Sequence, residues 1–89
     1  MIEHALGTIT RGDDMLADRV NVWFEKVQHG KLYDWHGGLT LPEGHSVGVG
    51  GPYRLELEDG RSCDILVERR LISRSGLKEA LFQGSGPLE

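Results

Sequence analysis

Residues 53–69, YRLELEDGRSCDILVER, carry a two-residue period on both sides of a turn dipeptide. Tyr53, Leu55 and Leu57 alternate with Arg54, Glu56 and Glu58; beyond Asp59-Gly60, Cys63, Ile65 and Val67 alternate with Ser62, Asp64, Leu66 and Glu68. Period two marks a strand with one buried face, and Asp-Gly between two such runs marks a hairpin. The purity of the faces decides its register. A two-residue turn pairs Glu58 with Arg61 and sets Leu55 against Asp64, which mixes apolar and charged side chains on one face. A three-residue loop, Glu58-Asp59-Gly60, with Gly60 left-handed in a bulge, pairs Leu57 with Arg61, Leu55 with Cys63 and Tyr53 with Ile65. The second register keeps both faces pure and is the predicted one. It places Arg54 opposite Asp64 on the outer face, where an ion pair stabilises by a few tenths of a kcal/mol, ~0.3. It also turns Cys63 inward, where a cysteine without a basic neighbour is an inert small hydrophobe.

Working outward, VNVWFEKV places Val20, Val22 and Phe24 on one face and Trp23 and Val27 on the other. So many β-branched and aromatic residues predict a strand covered on both sides. HALGTIT alternates Ala5, Gly7 and Ile9 against Leu6, Thr8 and Thr10 and predicts a shorter strand before it. The link RGDDMLADR, with acids beside Met15, Leu16 and Ala17, predicts a helical turn N-capped by Asp13 or Asp14. Trp35, Gly37, Leu39 and Leu41 share one parity and Pro42 ends the run, so 33–41 is predicted as a strand with a bulge or bend at Gly37-Gly38. PEGHSVGVGGP follows as a loop. In the final segment Leu77, Ala80 and Leu81 have helical spacing, yet Leu81-Phe82 between glycines also fits a closing strand. The strand is preferred, because an all-β protein otherwise leaves an open pairing edge.

Eighty-nine residues make one domain, since so short a chain buries only about 60–65% of its unfolded surface and cannot divide that between two cores. Leu88 and Glu89 have the look of a cloning-site remnant, so the domain is taken as 1–87. The 13 glycines are roughly double the usual share of about 7%, without a collagen period, and mark corners. Five or six short strands of this kind predict an all-β fold, a small antiparallel barrel or a strongly bent sheet. It is OB-like or SH3-like in architecture only, which implies no function. No apolar run reaches the roughly 18–20 residues of a membrane-spanning helix, and the single Cys63 forms no internal disulfide, so a cytoplasmic location is expected.

The chemistry of the sequence is sparse. A formal charge of −4 disfavours nucleic acid and anionic membranes as partners. The local exception is RRLISRSGLK, where Arg69, Arg70, Arg74 and Lys78 follow one another with no acid between them. The glycines of GVGGPY lead into a strand rather than a helix and lack a Walker lysine, so they do not read as a phosphate loop. Gly44-His45-Ser46-Val47-Gly48 fits G-x-S-x-G, but a nucleophile elbow needs the strand and helix of an α/β sheet, so no catalytic residue is assigned.

The preferred expectation is a non-enzymatic binding or assembly module whose partner is a protein, a second copy included. Its surface is expected at Tyr33, Trp35, His36 and His45 with the loop 43–51, where aromatic side chains and glycine-rich backbone coincide. The alternative is a small-molecule or metal-binding accessory domain using His36 and His45, with Asp34 or Glu43 as a third ligand. Weak nucleic-acid binding through Arg69, Arg70, Arg74 and Lys78, with stacking on Tyr33, stands third. No metal or cofactor is assigned.

Overall fold

The hairpin forms in the predicted register. Strands β1 (Ile2–Arg11), β2 (Asp14–His29), β3 (Leu32–Leu41), β4 (Gly50–Leu57), β5 (Ser62–Ile72) and β6 (Lys78–Ser85) make up most of the computed structural model, which describes residues 2–29, 32–42, 44–72 and 76–85. In β4 and β5, Tyr53 faces Ile65, Arg54 faces Asp64 and Leu55 faces Cys63. The turn closes with the Leu57 N–H donating to the Arg61 carbonyl at 2.7 Å and the Gly60 N–H donating to the Leu57 carbonyl at 3.0 Å. Gly60 has a φ of 96°, a left-handed conformation that resists a β-branched residue. The Asp59 carboxylate accepts from the Arg61 Nε at 2.8 Å and from its backbone N–H at 3.0 Å. Those two bonds, the side-chain one first, hold the Asp59 carboxyl below its ordinary pKa. On the outer face Arg54 reaches Asp64 at 3.4 Å and Ser62 at 2.7 Å.

Every neighbouring pair is antiparallel, and the sheet closes in the order β1-β2-β3-β6-β5-β4. The protein is therefore an all-β, six-stranded closed barrel, with no helix among the described residues. After the meander β1-β2-β3, the chain returns through 42–49 so that β4 lies beside β1, which is a Greek key. The segment with ambiguous spacing is the strand β6. It lies between β3 and β5 and closes the wall.

The predicted helical turn in 11–19 is not there. Arg11 pairs with Asp14 across a two-residue turn in which Gly12 has a φ of 61°, and β2 starts at once. The misleading spacing comes from two register shifts against β1. Gly7 faces Val20, Ile9 faces Ala17 and Thr10 faces Met15, so β2 twice places an extra residue opposite its partner. Arg19, with a φ of 53°, is the positive-φ residue that is not glycine among those described, and the Thr8 hydroxyl donates to Asp18 at 2.7 Å beside it. The bulge resets the inward parity from Val20, Val22 and Phe24 to Ala17. Buried residues at 17 and 20 thus acquire a three-residue spacing that locally looks helical.

The interior is filled by Phe24, Phe82, Ile9, Leu39, Leu55, Ile65, Val20 and Val22, each under 2% exposed, and none of the described polar or charged residues is buried. Trp35 points inward, edge-on to Phe24 and to Phe82 with ring centroids 6.4 and 5.6 Å away. It fits because Gly84 leaves a hollow: a Cβ there would overlap the indole. Gly37 and Gly38 are not a bulge. Both keep an unbroken register with β2 and with β6, and their lack of side chains lets β2 approach and the Trp23 ring lie over the strand. Cys63 is buried as predicted, and burial pushes its thiol up to about 12.

Candidate functional site

With its interior filled, the barrel offers ends and outer faces, and one end is open because two strands differ in length. Pairing between β4 and β5 stops at Gly50 and Val67, but β5 runs on with β6: Arg69 faces Leu81, Arg70 faces Ala80, Leu71 faces Glu79 and Ile72 faces Lys78. Residues directly opposite in an antiparallel pair share a face. Ala80 is buried, so Arg70 lies on the inward side, and Ile72 and Lys78 follow on that side in a row with Leu41 of β3. Here the core thins out on the β5 side, although Leu41 is still buried. Arg70 and Lys78 are exposed, and Ile72 is 76% exposed.

The facing wall is the 42–49 connection. The Pro42 carbonyl accepts from the His45 N–H at 3.1 Å, and Val47 is buried in the barrel end. The buried Tyr53 clamps the loop, its hydroxyl accepting from the Gly48 N–H at 3.0 Å and donating to the Gly48 carbonyl at 3.1 Å. The Arg11 guanidinium lies 5.5 Å from the centre of the Tyr53 ring. Val49 is left 62% exposed. Between loop and ribbon lies an open cleft of about 550 Å³, with Val47 and Val49 of the loop on one side and Leu41, Arg70, Ile72 and Lys78 of the strands on the other. Ser46, Glu68, Arg69, Leu71 and Glu79 also line it, and no histidine or cysteine does among the described residues.

This end gathers three cations that make no ion pair among the described residues, as Arg11 of β1 and Lys26 of β2 also make none. Arg19, Arg54 and Arg61 each have a carboxylate partner, respectively Glu58 at 4.0 Å, Asp64 at 3.4 Å and Asp59 at 2.8 Å. Arg69, Arg70 and Lys78 make no ion pair among the described residues. Cations without partners beside exposed Val49, Leu71 and Ile72 suit an anionic ligand that also carries apolar surface.

The expected site residues fall as follows. Trp35 is 4% exposed and belongs to the core, buried by its inward parity and the Gly84 hollow, and its remaining surface lines a separate open pocket of about 410 Å³ with Asp34 and His36. Tyr33 pairs through its backbone with Gln28, but its side chain lies outside the described residues, as do Glu43 and Arg74 entirely. His36 points outward from β3, its Nε2 3.8 Å from a Glu25 carboxylate oxygen and its ring edge-on to Trp23 at 6.4 Å. His45 lies in the loop, on a different element, and no three His, Cys, Asp or Glu among the described residues are grouped to hold a metal. The sequence marked the loop and the basic run as separate candidates; the structure makes them the two walls of one cleft. A usable signal existed. In the predicted register residue 50 meets residue 68, so a strand continuing beyond 68 has no partner on the β4 side.

Compared with known proteins, the chain matches no family model, no curated protein and no solved structure, so the site rests on its own geometry.

Proposed function

We propose that this protein is a non-enzymatic protein-binding module whose working surface is the cleft at the end of the barrel, and that it takes an acidic, partly apolar segment of its partner. The observation that carries the reading is the juxtaposition of Arg69, Arg70 and Lys78, without carboxylate partners among the described residues, with exposed Val49 and Ile72 in a chain of net charge −4. Specific charge complementarity steers an acidic partner to one end of an acidic protein, and the apolar walls supply the desolvated contact. A cleft of about 550 Å³ falls within the usual range of about 300–1,000 Å³ for ligand sites.

The test is a comparison by fluorescence anisotropy of three labelled probes: a peptide pool containing two valines and two glutamates in every order, a single-stranded oligonucleotide, and anionic vesicles measured by co-sedimentation. The pool is expected to bind best, and to bind about ten-fold more weakly to the Arg70→Glu, Lys78→Glu double variant. Both positions are exposed, so the variant should melt like the parent. Tighter binding of oligonucleotide or vesicle, or an unchanged affinity in the folded variant, contradicts the proposal.

A further inference from the structure

We infer that the occupant of the cleft binds as an added β-strand along the free edge of β5 at residues 69–72. This rests on the reading of the cleft as a protein-binding site and specifies how the partner is held. One edge of that segment is paired with β6; on the other, β4 has already ended at Gly50 opposite Val67. Among the described residues no backbone hydrogen bond crosses from the 44–49 loop to 69–72. Alternate residues of such an edge direct their N–H and C=O groups outward, here into an open cleft, which is the arrangement that strand addition uses. Unpaired edges also occur at 2–5 of β1 and at 32–35 of β3, but neither borders the cleft.

The register then specifies the ligand. An added strand meets β5 residue by residue, so acids are expected opposite Arg69 and Arg70 and apolar residues opposite Leu71 and Ile72. Its side chains alternate between the outer face, beside Arg69 and Leu71, and the cleft face, beside Arg70, Ile72 and Lys78. In the antiparallel direction shared by every pair in this barrel, the ligand reads apolar-apolar-acid-acid from its N-terminus. A strictly alternating apolar-acid order fits worse, because it sets one apolar residue against an arginine and one acid against a leucine.

The experiment titrates the full chain with four labelled peptides flanked by serines: Val-Val-Glu-Glu, Val-Glu-Val-Glu, and two forms of Val-Val-Glu-Glu with backbone N-methyl groups, one on the first and third residues and the other on the second and fourth. The expected result is that Val-Val-Glu-Glu binds on the order of five-fold tighter than the alternating peptide. One methylated set should lose binding and the other keep it, because only alternate amides face β5. Equal binding of the alternating peptide, or indifference to both methylated sets, overturns strand addition while leaving the cleft as a site for acidic peptides. No binding by any order overturns the protein-binding reading itself, and the inference with it.

Discussion

Gly84 and Gly60 are glycines for different physical reasons, and substitutions separate them. A side chain at Gly84 runs into the Trp35 indole inside a filled core, so Gly84→Ala should destabilise by overpacking, by about 1–3 kcal/mol. At Gly60 there is open space but a φ of 96°, so Gly60→Val should cost about 1–2 kcal/mol in backbone strain alone. Denaturant midpoints check both, and an unaffected Gly60→Val would contradict the bulged turn. Cys63 is testable by chemistry. A thiol reagent should label it slowly in the native protein and fast in denaturant, since burial holds the thiol protonated. Its folded pKa of about 12 lies above the ordinary 9.0, so the unfolded thiol ionises first. Its contribution to stability is complete below pH 9.0 and is lost as the pH rises toward about 12, so Cys63→Ala should flatten that alkaline decline. The inward side of Cys63 was legible from alternation. The burial of Trp35 was not, because parity names a face, and the room for its ring comes from Gly84 and its packing from Phe24 and Phe82 on other strands.

Single elements differ in how openly their sequences declare them. The β4 and β5 hairpin was legible to its register because two amphipathic runs flank one turn and a single alignment keeps the charges outside. β2 was not legible over 14–19, because its bulges reset parity, and a buried pair at 17 and 20 has the same local spacing as a helical turn. The pairing with β1 decides between the two, and that is a nonlocal fact. The loop 42–49 reads as polar and glycine-rich, yet Val47 and the Tyr53 hydroxyl fasten it to the barrel end. Tyr53→Phe removes both bonds to Gly48 and should destabilise by about 1 kcal/mol. The sharper readout is amide exchange at Gly48, which should accelerate well beyond its neighbours in β4. Unchanged protection at Gly48 would mean that the hydroxyl does not hold the loop.

At the scale of the whole molecule, the site is a by-product of closure. Six strands close a wall around a core filled by apolar and aromatic side chains, with no charged residue buried among the described residues. Because β5 outruns β4, the inward face continues past the core as a ribbon carrying Arg70, Ile72 and Lys78 toward the loop. The all-β class and a barrel of five or six strands were readable from pattern, and the loop and the basic run stood out as separate stretches. Their meeting was not, because it depends on the long return from β3 to β4 across two intervening strands. The most direct measurement is a backbone amide NMR titration of the full chain with the Val-Val-Glu-Glu peptide. Shifts are expected to concentrate at 46–49, 68–72 and 78–79, with the Arg54 and Asp64 face of the hairpin undisturbed. Shifts centred on His36 and the outer face of β3, or on the outer hairpin face, would contradict it.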